Sequence, residues 1–135
     1  MKRVSFFVHC EPVPQPRAKG ARRGKGIILY YDKKTGIEQY KQTVKDAFVG
    51  EKLTGPVGCS MMFRFTRPPS HTKKQRQCRW HTGKGDIDNC IKAILDALNK
   101  IAYDDDRQVA HLLSHKSWAE ENQKSGIMID FWELQ

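Results

Sequence analysis

Apolar side chains alternate with polar ones, or recur at helical spacing, along most of the 135-residue chain. Residues 3–10 (RVSFFVHC) are a short aromatic and β-branched run that three nearby prolines bring to a stop, which predicts a strand. In residues 57–66 (VGCSMMFRFT) every second side chain is apolar, the pattern of a half-buried strand. Shorter apolar runs predict further strands over residues 27–31, 108–118 and 127–134.

Two segments carry apolar residues at the spacing of a helix. The stronger stripe repeats at i, i+4, i+7, i+8, i+11 and i+14 and predicts a helix ending near Asn99; its members are Ile87, Ile91, Ile94, Leu95, Leu98 and Ile101. The weaker stripe starts at a capping-box pattern over residues 35–38 and continues to Gly50. Strands and helices in this order predict one α+β domain over residues 1–135, with a mixed sheet packed by two main helices.

Composition excludes several classes of protein. Hydrophobic residues make up 39% of the chain and aromatic residues 10%, which argues against intrinsic disorder. No apolar run approaches the roughly 18 residues that a membrane span requires. The four cysteines without a secretion signal predict reduced thiols, and so a cytoplasmic protein.

The formal net charge of +9 is concentrated in two segments. Residues 11–26 contain five Lys or Arg and one acid, and residues 67–85 contain six Lys or Arg and no acid, so these segments carry +10 and the rest of the chain −1. Both are punctuated by proline and glycine, which predicts loops. A basic surface that served only solubility would have its charges spread along the chain. Their concentration in two segments instead favours loops that bind a polyanion such as nucleic acid.

Aspartates are concentrated just before and just after the stronger predicted helix. Asp86 and Asp88 precede it, Lys92 lies four residues beyond Asp88, and residues 104–106 are all Asp. Carboxylates that face a phosphodiester repel it unless a divalent cation lies between them, and such oxygen ligands suit Mg²⁺. Lys92 would neutralise developing negative charge or help to place a water molecule. These residues predict a metal-dependent phosphodiesterase.

A non-catalytic interpretation uses the same residues. Asp88 would cap the helix with Asp86 beside it, residues 104–106 would be an exposed turn, and Lys92 would pair with Asp88 or with a purely structural Asp96. The protein would then be a branched-DNA-binding or architectural module whose DNA binding is indifferent to metal.

The acidic block resembles the signature of the RusA family of Holliday junction resolvases. Residues 86–99 (DIDNCIKAILDALN) and 103–109 (YDDDRQV) are similar to the family's PDxDNxxKxxxDAL(N/T) and DDxQ(I/V), and residues 12–17 (PVPQPR) look like its Pro- and Arg-rich opening. The resemblance implies a RusA-like homodimeric endonuclease that uses Mg²⁺, with Mn²⁺ as a substitute, and nicks four-way DNA junctions symmetrically during recombination and repair. It also implies the site residues Asp86, Asp88 and Asp106 as metal ligands, with Asp105 as a substitute for Asp106, and Lys92 as the catalytic lysine.

Three positions depart from the family pattern. Gly85 stands where the family usually has proline, and Lys100 stands where glycine is common. The additional Asp104 makes the third metal ligand ambiguous by one residue, between Asp105 and Asp106.

The Lys and Arg side chains of the basic segments are expected to contact DNA phosphates, and an aromatic side chain there could stack on a nucleobase at the junction. These candidates are Arg17, Lys19, Arg22, Arg23, Lys73, Lys74, Arg76, Arg79, Trp80 and Lys84. Trp80 has the alternative of a core anchor for its loop, and His81 is a second candidate for stacking.

Overall fold

The computed structural model describes residues 1–17, 19–30 and 35–135, without the side chains of Lys19, Leu29 and Tyr30. Tyr31, the last residue of one predicted strand, and the side chain of Lys19, a predicted DNA contact, therefore lie outside the described part. The elements are β1 (Arg3–Val8), β2 (Lys19–Arg23), β3 (Gly26–Tyr30), α1 (Ile37–Ala47), β4 (Val57–Phe65), α2 (Lys73–Arg76), α3 (Ile87–Ala97), β5 (Val109–Trp118) and β6 (Gly126–Glu133). A 3₁₀ turn, Asp106–Gln108, leads into β5.

Four strands form the main sheet in the order β1-β6-β4-β5. β4 and β5 are parallel, whereas β6 is antiparallel to both of its neighbours. A parallel pair needs a crossover connection, and α3 lies on the one between β4 and β5. The prediction of an α+β domain with a mixed sheet and two main helices is confirmed.

The core lies between the sheet and the two long helices. Alternate residues of β4 are buried and meet buried residues of α1 and α3; those of β4 are Val57, Cys59, Met61, Phe63 and Phe65. α1 and α3 also pack against each other. The buried side of α3 is formed by Cys90, Ala93, Ile94 and Ala97, so of the predicted stripe only Ile94 is fully buried within the helix, while Ile91 and Leu95 are partly buried and Ile87 is exposed. Burial of an apolar side chain of this size stabilises the fold by about 1.5–3 kcal/mol.

The opposite surface of the sheet carries apolar side chains and is called the open face. One cross-strand row runs through Phe7, Met128, Met62 and His115, one from each strand. Met62 and Met128 are 41% and 40% exposed, and Leu113, two residues before His115, is 64% exposed. Among the described residues no helix covers this row.

The prediction that both basic segments are loops is partly wrong. In the first segment β2 pairs with β3 as an antiparallel hairpin, and its turn uses Gly24 at φ 62°. Only glycine adopts such a backbone angle without steric cost. In the second segment Thr72 and Gln75 form a capping box that starts the four-residue helix α2.

Two predicted helix boundaries also differ from the structure. The N-cap of α1 is Gly36 at φ 71°, without a side-chain capping hydrogen bond, so the capping box over residues 35–38 is wrong. α3 ends at Ala97 instead of near Asn99, and Lys100 has a left-handed φ of 68°. Glycine suits such a position best, which accounts for the glycine that is common there in the family pattern, and Lys100 adopts the same backbone angle at some steric cost. None of the described helices is long and apolar enough to cross a membrane.

Candidate catalytic site

Asp86 and Asp88 lie at the start of α3 with exposed side chains. The N-cap position belongs to Asp86, so the alternative in which Asp88 is the N-cap is wrong. Asp86 itself makes no side-chain capping hydrogen bond, and its carboxylate lies 3.8 Å from the Arg17 guanidinium. Neither carboxylate is committed to capping the helix, so both remain open to a ligand.

The N-terminal basic segment is fastened to this end of α3. The backbone N–H of Gln15 donates to the carbonyl of Asn89 at 2.9 Å. Together with the Arg17–Asp86 contact, this bond places the first predicted DNA-binding segment beside the acidic pair.

Lys92 and Asp96 form an ion pair one turn apart on α3, at 3.4 Å. Asp106 lies close enough to both to be affected by their charges. Partial burial raises the pKa of Asp106, the neighbouring carboxylates of Asp105 and Asp96 raise it further, and Lys92 opposes them. The fold therefore brings Asp106 to the side of α3 that carries Lys92.

The segment that returns residues 104–106 to α3 is anchored in the core. Tyr103 is fully buried and donates through its hydroxyl to the carbonyl of Leu95 at 2.7 Å. The Gln108 side chain then accepts from the backbone N–H groups of Asp104 and Asp105, at 2.8 and 3.0 Å. Because both ends of the segment are held, Asp106 has a defined place opposite α3.

Asp105 and Asp106 differ in what their carboxylates already do. Asp105 caps the 3₁₀ turn by accepting from the Arg107 backbone N–H at 2.9 Å, and it pairs with the Arg107 guanidinium at 3.2 Å. These bonds, the backbone bond above all, lower the pKa of Asp105. Asp106 has no such backbone donor among the described residues, and this geometry favours Asp106 as the third metal ligand.

The carboxylates have the chemistry that a hard divalent cation requires, but they are not gathered at one point. Among the described residues, no three His, Cys, Asp or Glu side chains are close enough together to hold a metal ion. Asp88 and Lys92 are one helical turn apart, about 6 Å along the axis. A cation shared by Asp88 and Asp106 therefore requires these side chains to move closer together. The carboxylate repulsion that raises the Asp106 pKa is the feature that a bound cation would relieve.

In the second basic segment, Arg76 holds its own loop. Its guanidinium donates to the carbonyls of His71 and Pro69, each at 3.2 Å. The other predicted phosphate-binding side chains that the structure describes are exposed and make no hydrogen bond to a loop carbonyl. They are Arg17, Arg22, Arg23, Lys73, Lys74, Arg79 and Lys84. Arg76 is thus the member of the set with a visible structural role.

Trp80 and His81 have different environments. Trp80 is 46% exposed, the Arg79 guanidinium lies 4.2 Å from its ring, and its bridge to Ser117 places it beside His115 on the open face. The core-anchor alternative for Trp80 is therefore wrong. His81 is 6% exposed and sits between Phe65 and Trp118, so it is not available to stack on a base.

Two side chains at the site were not among the predicted functional residues. Asp96 was expected to be a structural residue that could pair with Lys92, and that ion pair is confirmed; its negative charge also raises the pKa of Asp106, an effect that was not predicted. Lys116, in β5, donates to the carbonyl of Gly85 at 2.7 Å, immediately before Asp86. Those two residues are 31 positions apart, and a lysine in a strand gives no sequence signal of such a contact.

Comparison with known proteins identifies the family of the chain. The family model for endodeoxyribonuclease RusA matches residues 9–130. The protein YqaN of Bacillus subtilis (strain 168), which is uncharacterised, is 36% identical over 129 residues, covering 87% of this chain and 89% of YqaN. The crossover junction endodeoxyribonuclease RusA of Lactococcus phage r1t is 30% identical over 124 residues, covering 86% of each chain. The resemblance in the acidic block is thereby confirmed, and the chain belongs to the RusA family of endodeoxyribonucleases.

Proposed function

We propose that this endonuclease resolves four-way DNA junctions by paired symmetric nicks, depends on Mg²⁺ with Mn²⁺ as a substitute, and acts in DNA recombination and repair. The observation that carries the proposal is the hydrogen bond from Tyr103 to Leu95, which holds the acidic segment 104–106 against α3, the helix that has Asp86 at its N-cap and carries Lys92. The relative from Lactococcus phage r1t, a crossover junction endodeoxyribonuclease, supports the substrate.

The acidic residues take the roles of metal ligands in this proposal. Asp86, Asp88 and Asp106 would hold the cation, which would lower the pKa of a bound water and stabilise negative charge on the phosphate oxygens. Lys92 extends from the same side of α3 and stabilises the charge that develops on the phosphate. Asp96 holds the Lys92 ammonium at 3.4 Å and so limits the directions in which it can point.

The basic segments bind the DNA arms. Arg17 lies 3.8 Å from Asp86, so a phosphate bound by this guanidinium would lie at the edge of the acidic pair. With a cation bound at Asp86, Arg17 would be free to contact phosphate. The second segment contributes the exposed lysines of α2, Lys73 and Lys74.

The open face is the surface that we assign to a second copy of this chain. Exposed Met62, Leu113 and Met128 form an apolar patch, with Asp130 in the row of Leu113 and Arg64 in the row on the other side of Met62. A twofold axis through such a patch apposes it to itself, and self-complementarity of this kind is what an isologous dimer requires. The acidic residues of α3 lie on the other side of the sheet and would stay accessible in both copies.

A labelled four-way junction incubated with the protein in Mg²⁺ or in EDTA tests the proposed function. We expect nicks in opposite arms in Mg²⁺, none in EDTA, and binding of the junction in both. Asp88→Asn should abolish cleavage and retain binding, whereas Asp46→Asn, an exposed aspartate of α1, should cleave like the wild type.

The non-catalytic alternative gives a different result in the same experiment. An architectural protein binds the junction equally in Mg²⁺ and EDTA and leaves every strand intact. Cleavage by Asp88→Asn at the wild-type rate would refute the site assignment even if the nuclease activity itself were present.

A further inference from the structure

Lys116 lies outside both basic segments and points to the helix side of the sheet, where its register partner in β4 is the buried Phe63. Its ammonium donates to the carbonyl of Gly85 at 2.7 Å and to that of Gly83 at 3.4 Å. Gly85 is the residue before Asp86. Resting on the proposed function, we propose that Lys116 is a positioning residue for Asp86, and that it sets the affinity of the site for a divalent cation.

The covalent geometry explains how a bond to Gly85 acts on Asp86. The carbonyl of Gly85 and the N–H of Asp86 belong to one rigid peptide plane. When Lys116 fixes the direction of that carbonyl, it also fixes the plane from which the Asp86 side chain departs. A hydrogen bond with a charged donor is about twice as strong as a neutral one, so Lys116 is well suited to hold it.

The backbone of Gly85 makes this restraint necessary. Gly85 has a φ of 103°, a region that glycine enters freely and that other residues rarely adopt. Glycine at this position therefore leaves the approach to Asp86 with more conformational freedom than any other residue would. The Lys116 ammonium at the Gly85 carbonyl, with the Cys90 thiol 3.8 Å from the same oxygen, selects one of those conformations.

β5 holds the preceding part of the same segment as well. The N–H of His81 donates to the carbonyl of Lys116 at 3.3 Å, and the N–H of Trp118 donates to the carbonyl of Arg79 at 2.7 Å. The backbone of β5 thus fastens residues 79–81, and the Lys116 side chain fastens residues 83–85. A single strand fixes the whole approach to α3.

Other roles for Lys116 fit the contacts less well. No described carboxylate forms an ion pair with it, so it is not half of a salt bridge. A lysine that served DNA alone would extend into solvent, whereas the Lys116 ammonium is bonded to two main-chain carbonyls and its side chain is partly buried. Its partners place it behind the metal ligands, where side chains that orient ligands are found.

Binding of Mn²⁺ to the protein without DNA, followed by the electron paramagnetic resonance of free Mn²⁺, tests the proposal. Lys116→Met keeps an unbranched side chain of about the length of the lysine's four-carbon stem and removes the ammonium. We expect its Kd for Mn²⁺ to rise about 10-fold or more, the cost typical of losing a group that supports a metal ligand. Lys116→Arg retains a charged donor and should recover most of the affinity. Lys45→Met removes an exposed lysine from α1 and should leave the Kd unchanged.

Two further measurements separate positioning from folding and from DNA binding. Junction affinity in EDTA should be the same for Lys116→Met and the wild type, because the inferred role concerns the metal ligands. An unchanged Kd for Mn²⁺ in Lys116→Met overturns the proposal, as does an equal loss of junction affinity in EDTA. If Lys116→Met does not fold, Lys116→Gln is measured in its place, and a wild-type Kd in that variant also overturns the proposal.

The proposed function can fail independently of this inference. A wild-type protein that binds Mn²⁺ but cuts no junction refutes the resolvase, while a weakened Kd in Lys116→Met still supports the positioning role. Conversely, a wild type that nicks junctions, with a Lys116→Met variant of equal Mn²⁺ affinity, refutes only the positioning role.

Discussion

Asp105 and Asp106 are consecutive in the chain, yet their surroundings shift the two pKa values in opposite directions. The Arg107 backbone N–H lowers the pKa of Asp105. Partial burial raises that of Asp106, and the negative charges of Asp105 and Asp96 add to the effect. The carboxylate of Asp105 thus has hydrogen-bond partners within the fold, whereas the surroundings of Asp106 disfavour its charged form.

Asp106→Asn should stabilise the metal-free protein near neutral pH and abolish cleavage. A raised pKa means that the folded state binds the proton more tightly than the unfolded state, so the contribution of Asp106 to stability is complete below the ordinary aspartate pKa. It is lost as the pH rises through the raised pKa, and at neutral pH the ionised Asp106 destabilises the fold. Removing the charge therefore raises the melting temperature in EDTA at neutral pH. The gain should vanish at a pH below about 3.9, the ordinary aspartate pKa.

Asp105→Ala provides the contrast for that variant. It removes the side chain that caps the 3₁₀ turn, so it should lower the melting temperature where Asp106→Asn raises it. Equal melting shifts of the same sign in the two variants would contradict the assignment of different roles.

Glu133 should support the fold at neutral pH and lose this role in acid. Its carboxylate accepts from the backbone N–H groups of Lys2 and Thr54, each at 2.9 Å, and these bonds lower its pKa to about 2. A lowered pKa gives stability that is present above the ordinary glutamate value and is lost as the pH falls through about 2. Glu133→Gln should thus be less stable than the wild type in urea at pH 7, with the difference shrinking in acid. A difference that is constant from pH 7 down to strongly acidic conditions would rule out this linkage.

The exposed lysines of α2 should contribute to DNA affinity mainly through phosphate contacts. Each phosphate contact that is removed lowers the slope of log K against log salt by about 1. The double variant Lys73→Ala with Lys74→Ala should bind the junction more weakly, with a flatter salt dependence and unchanged preference for branched over linear duplex. Lys45→Ala should retain the wild-type slope. If the plot of log K against log salt for the double variant has the same slope as that of the wild type, α2 does not contact the DNA phosphates.

The predictable parts of the molecule are those set by local patterns. The stripe of α3 and the alternation of β4 need only neighbouring residues, and both elements formed where the periodicity placed them. The β2–β3 hairpin was missed in part because its charged strand, KGARR, carries no apolar alternation and is held by pairing with β3. Lys116 was missed because its contact with Gly85 depends on how β5 packs beside the segment before α3. Sequence therefore predicts which side chains are available for chemistry, whereas the groups that orient them come from the tertiary fold.

Leu113→Asp should weaken self-association if the open face joins two copies. Leu113 is 64% exposed in the single chain and neighbours the row through Met62 and Met128. At a twofold interface each copy would bring one new carboxylate into an apolar contact, where burying an unpaired charge is strongly unfavourable. Sedimentation equilibrium should show a dimer for the wild type and mostly monomer for Leu113→Asp, with little change in the melting temperature of the monomer because the side chain is already exposed. Val49→Asp, which alters an equally exposed apolar residue after α1, should remain dimeric. If Leu113→Asp is also a dimer, the interface lies elsewhere, and an intact apolar open face would then need another partner.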